Sequence, residues 1–377
     1  MRVIQAYKKK NGSWQYLAGK ASLSNPLVLV FANRLMLEDA TVLADIREQF
    51  PYNHIVYAST AGEIFNIEVL ENTVTVIAIE FEKSTFVIKT DNILNHNKNT
   101  HELGVALAAQ MPKEGLKHLF VLSEGSFVSG TSLIRGLEND LDENVALTGG
   151  LCGDDLRYEK TLSAYNEDPK EGEIVLIGFY GASLEITFAS YGGWLAFGPE
   201  RVITKSEGNT LYEIDGQSSL SLYKKYLGDK AGDFARSALL YPLNVIAPGK
   251  ANAVVRAVVA ADMESQAMIF ADEVPQDSQV QLIMVSPDRI SQGAYTASTL
   301  AMQDRVTKPQ LALVISCIGR KVVMNQRVEE EIELVREVLG DDTAICGFYS
   351  YGEIAPFYNT RASELHNQTM TITLISE

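Results

Sequence analysis

The sequence predicts a mixed α/β (α+β) fold of layered mixed β-sheets with helices, built on an internal β-α-β-β repeat. Three observations predict it. Apolar runs at 27–31, 118–122 and 311–316 have strand length and β-branched content, and read as strands buried on both faces. Each is followed by a polar loop, a helical spacing of apolar residues and a second short apolar strand. That second strand leads each time to a glycine directly before an acid: Gly62-Glu63, Gly153-Asp154 and Gly352-Glu353. The distances from Leu27 to Gly62, His118 to Gly153 and Leu311 to Gly352 are similar, which reads as internal duplication. Generic α/β punctuation is the alternative.

In the first pass, the run at 27–31 follows Pro26. Residues 38–50 carry Leu43, Ala44, Ile46 and Phe50 at helical spacing, and Pro51 stops them. A strand at 54–57 enters Ser59-Thr60-Ala61-Gly62-Glu63-Ile64. Strands follow at 73–81 and 85–89, then an Ala- and Leu-rich helix at 101–111. In the second pass the loop 123–130 follows the buried strand. Thr131 or Ser132 is expected to cap the helix reaching about Asp140, and the strand at 145–147 leads to Gly149-Gly150-Leu151-Cys152-Gly153-Asp154-Asp155. In the third pass Cys317-Ile318-Gly319-Arg320 reads as a loop and 329–339 as a helix stopped by Gly340. The strand at 344–346 enters Ser350-Tyr351-Gly352-Glu353-Ile354, and His366-Asn367-Gln368-Thr369 opens the last strand.

Between the second and third passes the pattern breaks at Gly192-Gly193-Trp194 and Gly198-Pro199. Strand-like and helix-like segments follow, with a helix of small residues from Pro287 to Met302. The boundary is placed near residue 205, giving domains 1–205 and 206–377.

Composition narrows the function. Thirty-two basic and 48 acidic residues give a net charge of −16, with no basic cluster beyond Lys8-Lys9-Lys10. That argues against nucleic acid and anionic membrane surfaces. No apolar run is long enough to insert in a membrane, and the N-terminus lacks a secretory pattern. Three scattered cysteines, Cys152, Cys317 and Cys346, are no disulfide framework, so a cytoplasmic location is expected.

Taken together, several motifs resemble FIST-domain proteins over residues 29–375. They are the first Gly-Glu loop, Thr148-Gly149-Gly150 with Gly153-Asp154, Gly193-Trp194 with Gly198, and Leu211-Tyr212-Glu213-Ile214-Asp215-Gly216. Arg256, Cys317-Ile318-Gly319-Arg320, the run from Gly347 to Ile354 and His366-Asn367-Gln368-Thr369 complete the set. The resemblance implies a FIST N-terminal-like domain (1–205) and a FIST C-terminal-like ligand-binding domain (206–377). It implies a sensory module of bacterial signalling with a small ligand, an amino acid among the suggested ones. It also leaves open the family's haem-binding nitric oxide sensors. The FIST-like region uses up the length, so a signal would pass to a separate partner such as a histidine kinase.

An amino-acid ligand needs a carboxylate for its amine and a donor fork for its carboxylate. Glu63, Asp154, Asp155 and Glu353 are candidates for the first, with Gly62, Gly153 and Gly352 turning the backbone beside them. Arg320 is the first choice for the second, at a buried strand's end beside Cys317, with Arg157, Arg256 and Arg361 behind it. The bland alternatives are solvated turn acids and surface ion pairs. The three cysteines would face one cavity if the repeats converge, or else fill the core. For haem, His366 and His54 are the candidate axial ligands. A hydrolase reading centres on Cys152 in its glycine-rich turn, but no base and no G-x-S-x-G, P-loop or H-E-x-x-H signature accompanies it.

Overall fold

The three buried runs become strands of three separate sheets. A computed structural model describes residues 1–229 and 234–377. The first unit comprises β1 (Arg2–Lys9), β2 (Leu27–Asn33), helix α1 (Ala40–Gln49), β3 (His54–Thr60), β4 (Glu63–Phe65) and β5 (Thr73–Glu80). The second comprises β6 (Thr85–Asn92), α2 (Thr100–Ala108), β7 (Leu116–Ser123), α3 (Gly130–Leu137), β8 (Ala146–Leu151), β9 (Ser163–Tyr165) and β10 (Glu173–Tyr180). The third begins at β11 (Glu185–Tyr191), leaves through β12 (Leu195–Glu207) and returns along α4 (Pro287–Met302). It then runs through β13 (Leu311–Cys317), α5 (Ile318–Met324), α6 (Glu329–Leu339), β14 (Ala344–Ser350), β15 (Gly352–Pro356), β16 (Ser363–His366) and β17 (Met370–Ser376).

Each unit pairs the strand of its buried apolar run in parallel with the strand that precedes the Gly-acid bend: β2 with β3, β7 with β8, β13 with β14. Its last strand lies antiparallel on the other side of the apolar-run strand. The short strand after each Gly-acid bend leaves its own sheet. β4 pairs with β14, β15 with β8 and β9 with β3, all antiparallel. The first unit thus donates a strand to the third, the third to the second and the second to the first, closing a cycle.

The period-2 geometry of strands explains the continuous apolar runs. In β2, Leu27, Leu29 and Phe31 point into a core shared by all three sheets, where Phe31 meets Phe348 at 5.0 Å between ring centroids. Val28, Val30 and Ala32 point the other way, into a core that includes Leu43 and Ile46 of α1. The sheets therefore face one another and the helices cover their outer faces.

An eight-stranded sheet is inserted between β11 and β13, with its own core around Leu211, Tyr223, Phe270 and Leu282. A division at residue 205 falls inside β12. Two local expectations are corrected. Ser129, not Thr131 or Ser132, caps α3: its hydroxyl accepts from the Ser132 N–H. The segment after Cys317 is not a loop but the first turn of α5. No described helix is long and apolar enough to cross a membrane.

Candidate functional site

The three Gly-acid bends meet. The Ala61 N–H donates to the Tyr349 carbonyl, the Gly153 N–H to the Ser59 carbonyl and the Tyr351 N–H to the Leu151 carbonyl, at 2.8, 2.9 and 3.3 Å. These bonds run from unit to unit in the same sense as the strand exchange. Gly62 has φ +136°, a conformation that disfavours a side chain, and an added Cβ would stand 2.9 Å from Lys321 Nζ. Glycine at the corresponding bend of the second unit is needed for space: a Cβ on Gly153 would lie 2.8 Å from Ala61 N.

The acids of these bends point into the protein, and each is satisfied there. Thr60 Oγ1 donates to Glu63 at 2.5 Å, and Thr73 donates to its other oxygen. Ser350 Oγ donates to Glu353 at 2.6 Å, and the N–H and hydroxyl of Thr369 reach the second oxygen at 3.1 and 3.0 Å. A hydroxyl three residues before the acid is thus a common device of the first and third units. In the second unit Leu151 takes that place and has no hydroxyl. Asp154 instead pairs with Arg34 Nε at 2.8 Å, with Arg157 at 3.4 Å. Burial raises Glu63 to about 7 and Glu353 to about 8, against the pull of their hydroxyl partners.

Arg320 has no exposed surface. Its guanidinium donates twice to Glu331, at 3.1 and 2.9 Å, and to the Gly192 and Ile290 carbonyls at 2.8 and 2.9 Å. It holds α5, α6 and the Gly192-Gly193-Trp194 turn together. Arg256 is likewise buried and donates to the carbonyls of Leu365 and Glu273. Arg157 pairs with Asp155 at 2.5 Å, and Arg361 is exposed. Cys152 and Cys346 belong to the core shared by the three sheets. Burial pushes all three thiols up, away from the thiolate.

A cleft of about 690 Å³ opens beside this junction, between the three-sheet body and the inserted sheet. Its floor comes from the ends of the parallel strands: Gly125 after β7, Leu151 of β8, Cys317 of β13 and Tyr351 after β14. Ligand sites of α/β folds concentrate at such strand ends. Val258, Val259 and Phe270 of the inserted sheet, with Ala238 and Leu239 of the helix Phe234–Leu240, form the opposite wall. Of the residues singled out from the sequence, Cys317 lines this space. Gly62, Glu63, Gly153, Asp154, Arg320, Gly352 and Glu353 do not; they build the junction behind it.

The remaining lining was not evident from residue type. Tyr158 and Tyr351 stack at 4.7 Å and 21°. The Tyr351 hydroxyl donates to the Asp155 carbonyl and accepts from the Tyr158 N–H. Glu124 is buried and gathers the N–H groups of Ser126, Phe127 and Val128 at 2.6 to 3.2 Å, shaping one rim. An acid directly before Gly-Ser at a strand's end was the available signal for it. Gln368 lies inside the His-Asn-Gln-Thr run, with no exposed surface. Its Oε1 has no hydrogen-bond partner among the described residues.

Neither histidine named for haem fits an axial role at the cleft. His366 is buried, bonded to the Ala355 carbonyl at 2.9 Å and lowered to about 4 by burial. His54 meets Tyr165 at the start of β3. Neither lines the cleft. Among the described residues no group of three or more acids, histidines or cysteines is placed to hold a metal ion.

Comparison with protein families matches a FIST N domain at residues 26–217 and a FIST C domain at 219–356. No curated protein matches the chain.

Proposed function

The chain belongs to the FIST family, a FIST N domain followed by a FIST C domain, and on that premise we propose that it is a cytoplasmic small-ligand sensor using the cleft beside the strand-exchange junction. FIST domains are associated with sensory functions in signal transduction and with small-ligand binding. The observation that carries the reading is the cleft itself, of ligand size and floored by strand ends from two of the three repeats. Its opposite wall belongs to the inserted sheet, which β12 and α4 join to the body. We place the division between the two parts in β12, near residue 205.

A ligand in the cleft touches both parts at once. It shifts their balance only as far as it binds one arrangement better than the other. A separate partner, such as a histidine kinase, then reads the difference. Sensing is favoured over catalysis because Cys152 is buried and held as the thiol, a poor nucleophile.

Native mass spectrometry of protein purified from its own host tests the reading. We expect a bound small molecule that Val259→Trp, at the exposed edge of the cleft, displaces. An identical adduct in both proteins would place the ligand elsewhere.

A further inference from the structure

Resting on the cleft as the ligand site, we infer that its ligand is an uncharged molecule with a flat apolar body and one N–H or O–H donor received by Gln368 Oε1. Gln368 Nε2 donates to the Leu239 carbonyl at 3.3 Å, which sets the orientation of the amide. Turned over, the amide would put oxygen against oxygen. Oε1 is therefore the group left without a donor, on a side chain that belongs to the lining of the cleft and has no exposed surface. A buried acceptor without a partner is costly, and a ligand that supplies the donor removes the cost.

The side chain is held where it is. Trp194 Nε1 donates to the Gln368 carbonyl at 2.8 Å, and Gln368 sits at φ +61°, which fixes the turn before β17. The space for the amide exists because residue 319 is glycine: a Cβ there would come within 2.2 Å of Nε2. This is a built feature that no contact within the described residues completes.

The walls define the rest of the ligand. Leu151, Ile318, Val258 and Phe270 are apolar, and the stacked Tyr158–Tyr351 pair offers a flat aromatic surface. None of the described lining residues carries a charge. Glu353 and Arg320 are buried behind the lining and engaged with Ser350, Thr369 and Glu331. A carboxylate or ammonium brought into such a space finds no counter-ion among the described lining residues, and burying it unpaired is costly. A free amino acid, with both charges, is the wrong class.

The test is calorimetric titration of the full chain with three probes: indole, its isostere benzofuran, which lacks the N–H, and tryptophan. Indole is expected to bind roughly threefold to tenfold more tightly than benzofuran, the worth of one neutral hydrogen bond. Tryptophan is expected not to bind. Gln368→Leu should bring indole down to the level of benzofuran, and the comparison of probes on the unaltered protein holds even if that variant folds poorly. Equal binding of indole and benzofuran, or tighter binding of tryptophan, overturns the ligand class and leaves the cleft as the site. Binding of all three unchanged by Val259→Trp, or no binding of any, overturns both.

Discussion

Gly319 and Gln368 share one space: a side chain on the first would stand where the carboxamide of the second lies, 2.2 Å from Nε2 and 2.5 Å from Oε1. The Cys-Ile-Gly-Arg motif at the start of α5 and the His-Asn-Gln-Thr motif before β17 are thus two halves of one feature of the cleft.

Gly319→Ala should push the Gln368 amide out of place. Overpacking of this kind costs about 1–3 kcal/mol. Urea unfolding should show that loss, together with weaker ligand binding. Unchanged binding in this variant would separate Gln368 from recognition.

The two raised acids set a pH dependence. Their folded values, about 7 for Glu63 and about 8 for Glu353, lie above the ordinary 4.5. The native state therefore holds the proton more tightly than the unfolded chain. The stability this contributes is complete below pH 4.5 and is lost as pH rises through 7 and then 8, on the order of a few kcal/mol per site. Lys321 pulls Glu63 down and Asp155 pushes it up, and Arg320 pulls Glu353 down, but burial dominates both. Glu63→Gln keeps a neutral group that the Thr60 and Thr73 hydroxyls can still bond. It should be more stable than the parent at pH 8.5, have no such advantage at pH 5, and show a flatter stability profile between them.

Arg320 and Glu331 are both wholly buried, their closest approach 2.9 Å. Removing the negative partner leaves a guanidinium without an anion. Glu331→Gln should cost about 3–5 kcal/mol in chemical denaturation. A loss below about 1 kcal/mol would mean that the two carbonyls alone suffice for Arg320.

Cys152→Ser puts a hydroxyl into the core between the sheets and should lower stability by about 1–3 kcal/mol. Ligand affinity measured by calorimetry should not change. A parent protein that turned over an amide or ester, with turnover lost in this variant, would revive the hydrolase reading.

Much of the architecture was legible in the sequence because it rests on local pattern. The run at 27–31 is apolar at every position because β2 has a core on each face, and that needs no knowledge of its neighbours. The Gly-acid steps marked the bends for the same reason. The strand exchange was not legible, since the pairing of β4 with β14 leaves no periodicity in either segment. Arg320 read as a ligand fork because its partner Glu331 stands on another helix. Gln368 was visible only as part of a motif, because an unpartnered oxygen is a property of the folded surroundings. The acids suggested a polar pocket; burial turned them inward and left an apolar cleft beside them.

The most direct measurement is a crystal structure of the protein with the molecule it carries from its host. That molecule is expected in the cleft, flat against Tyr351 with a donor on Gln368 Oε1. A ligand bound at Glu63, Asp154 or Arg320, with the cleft filled by water alone, would contradict it.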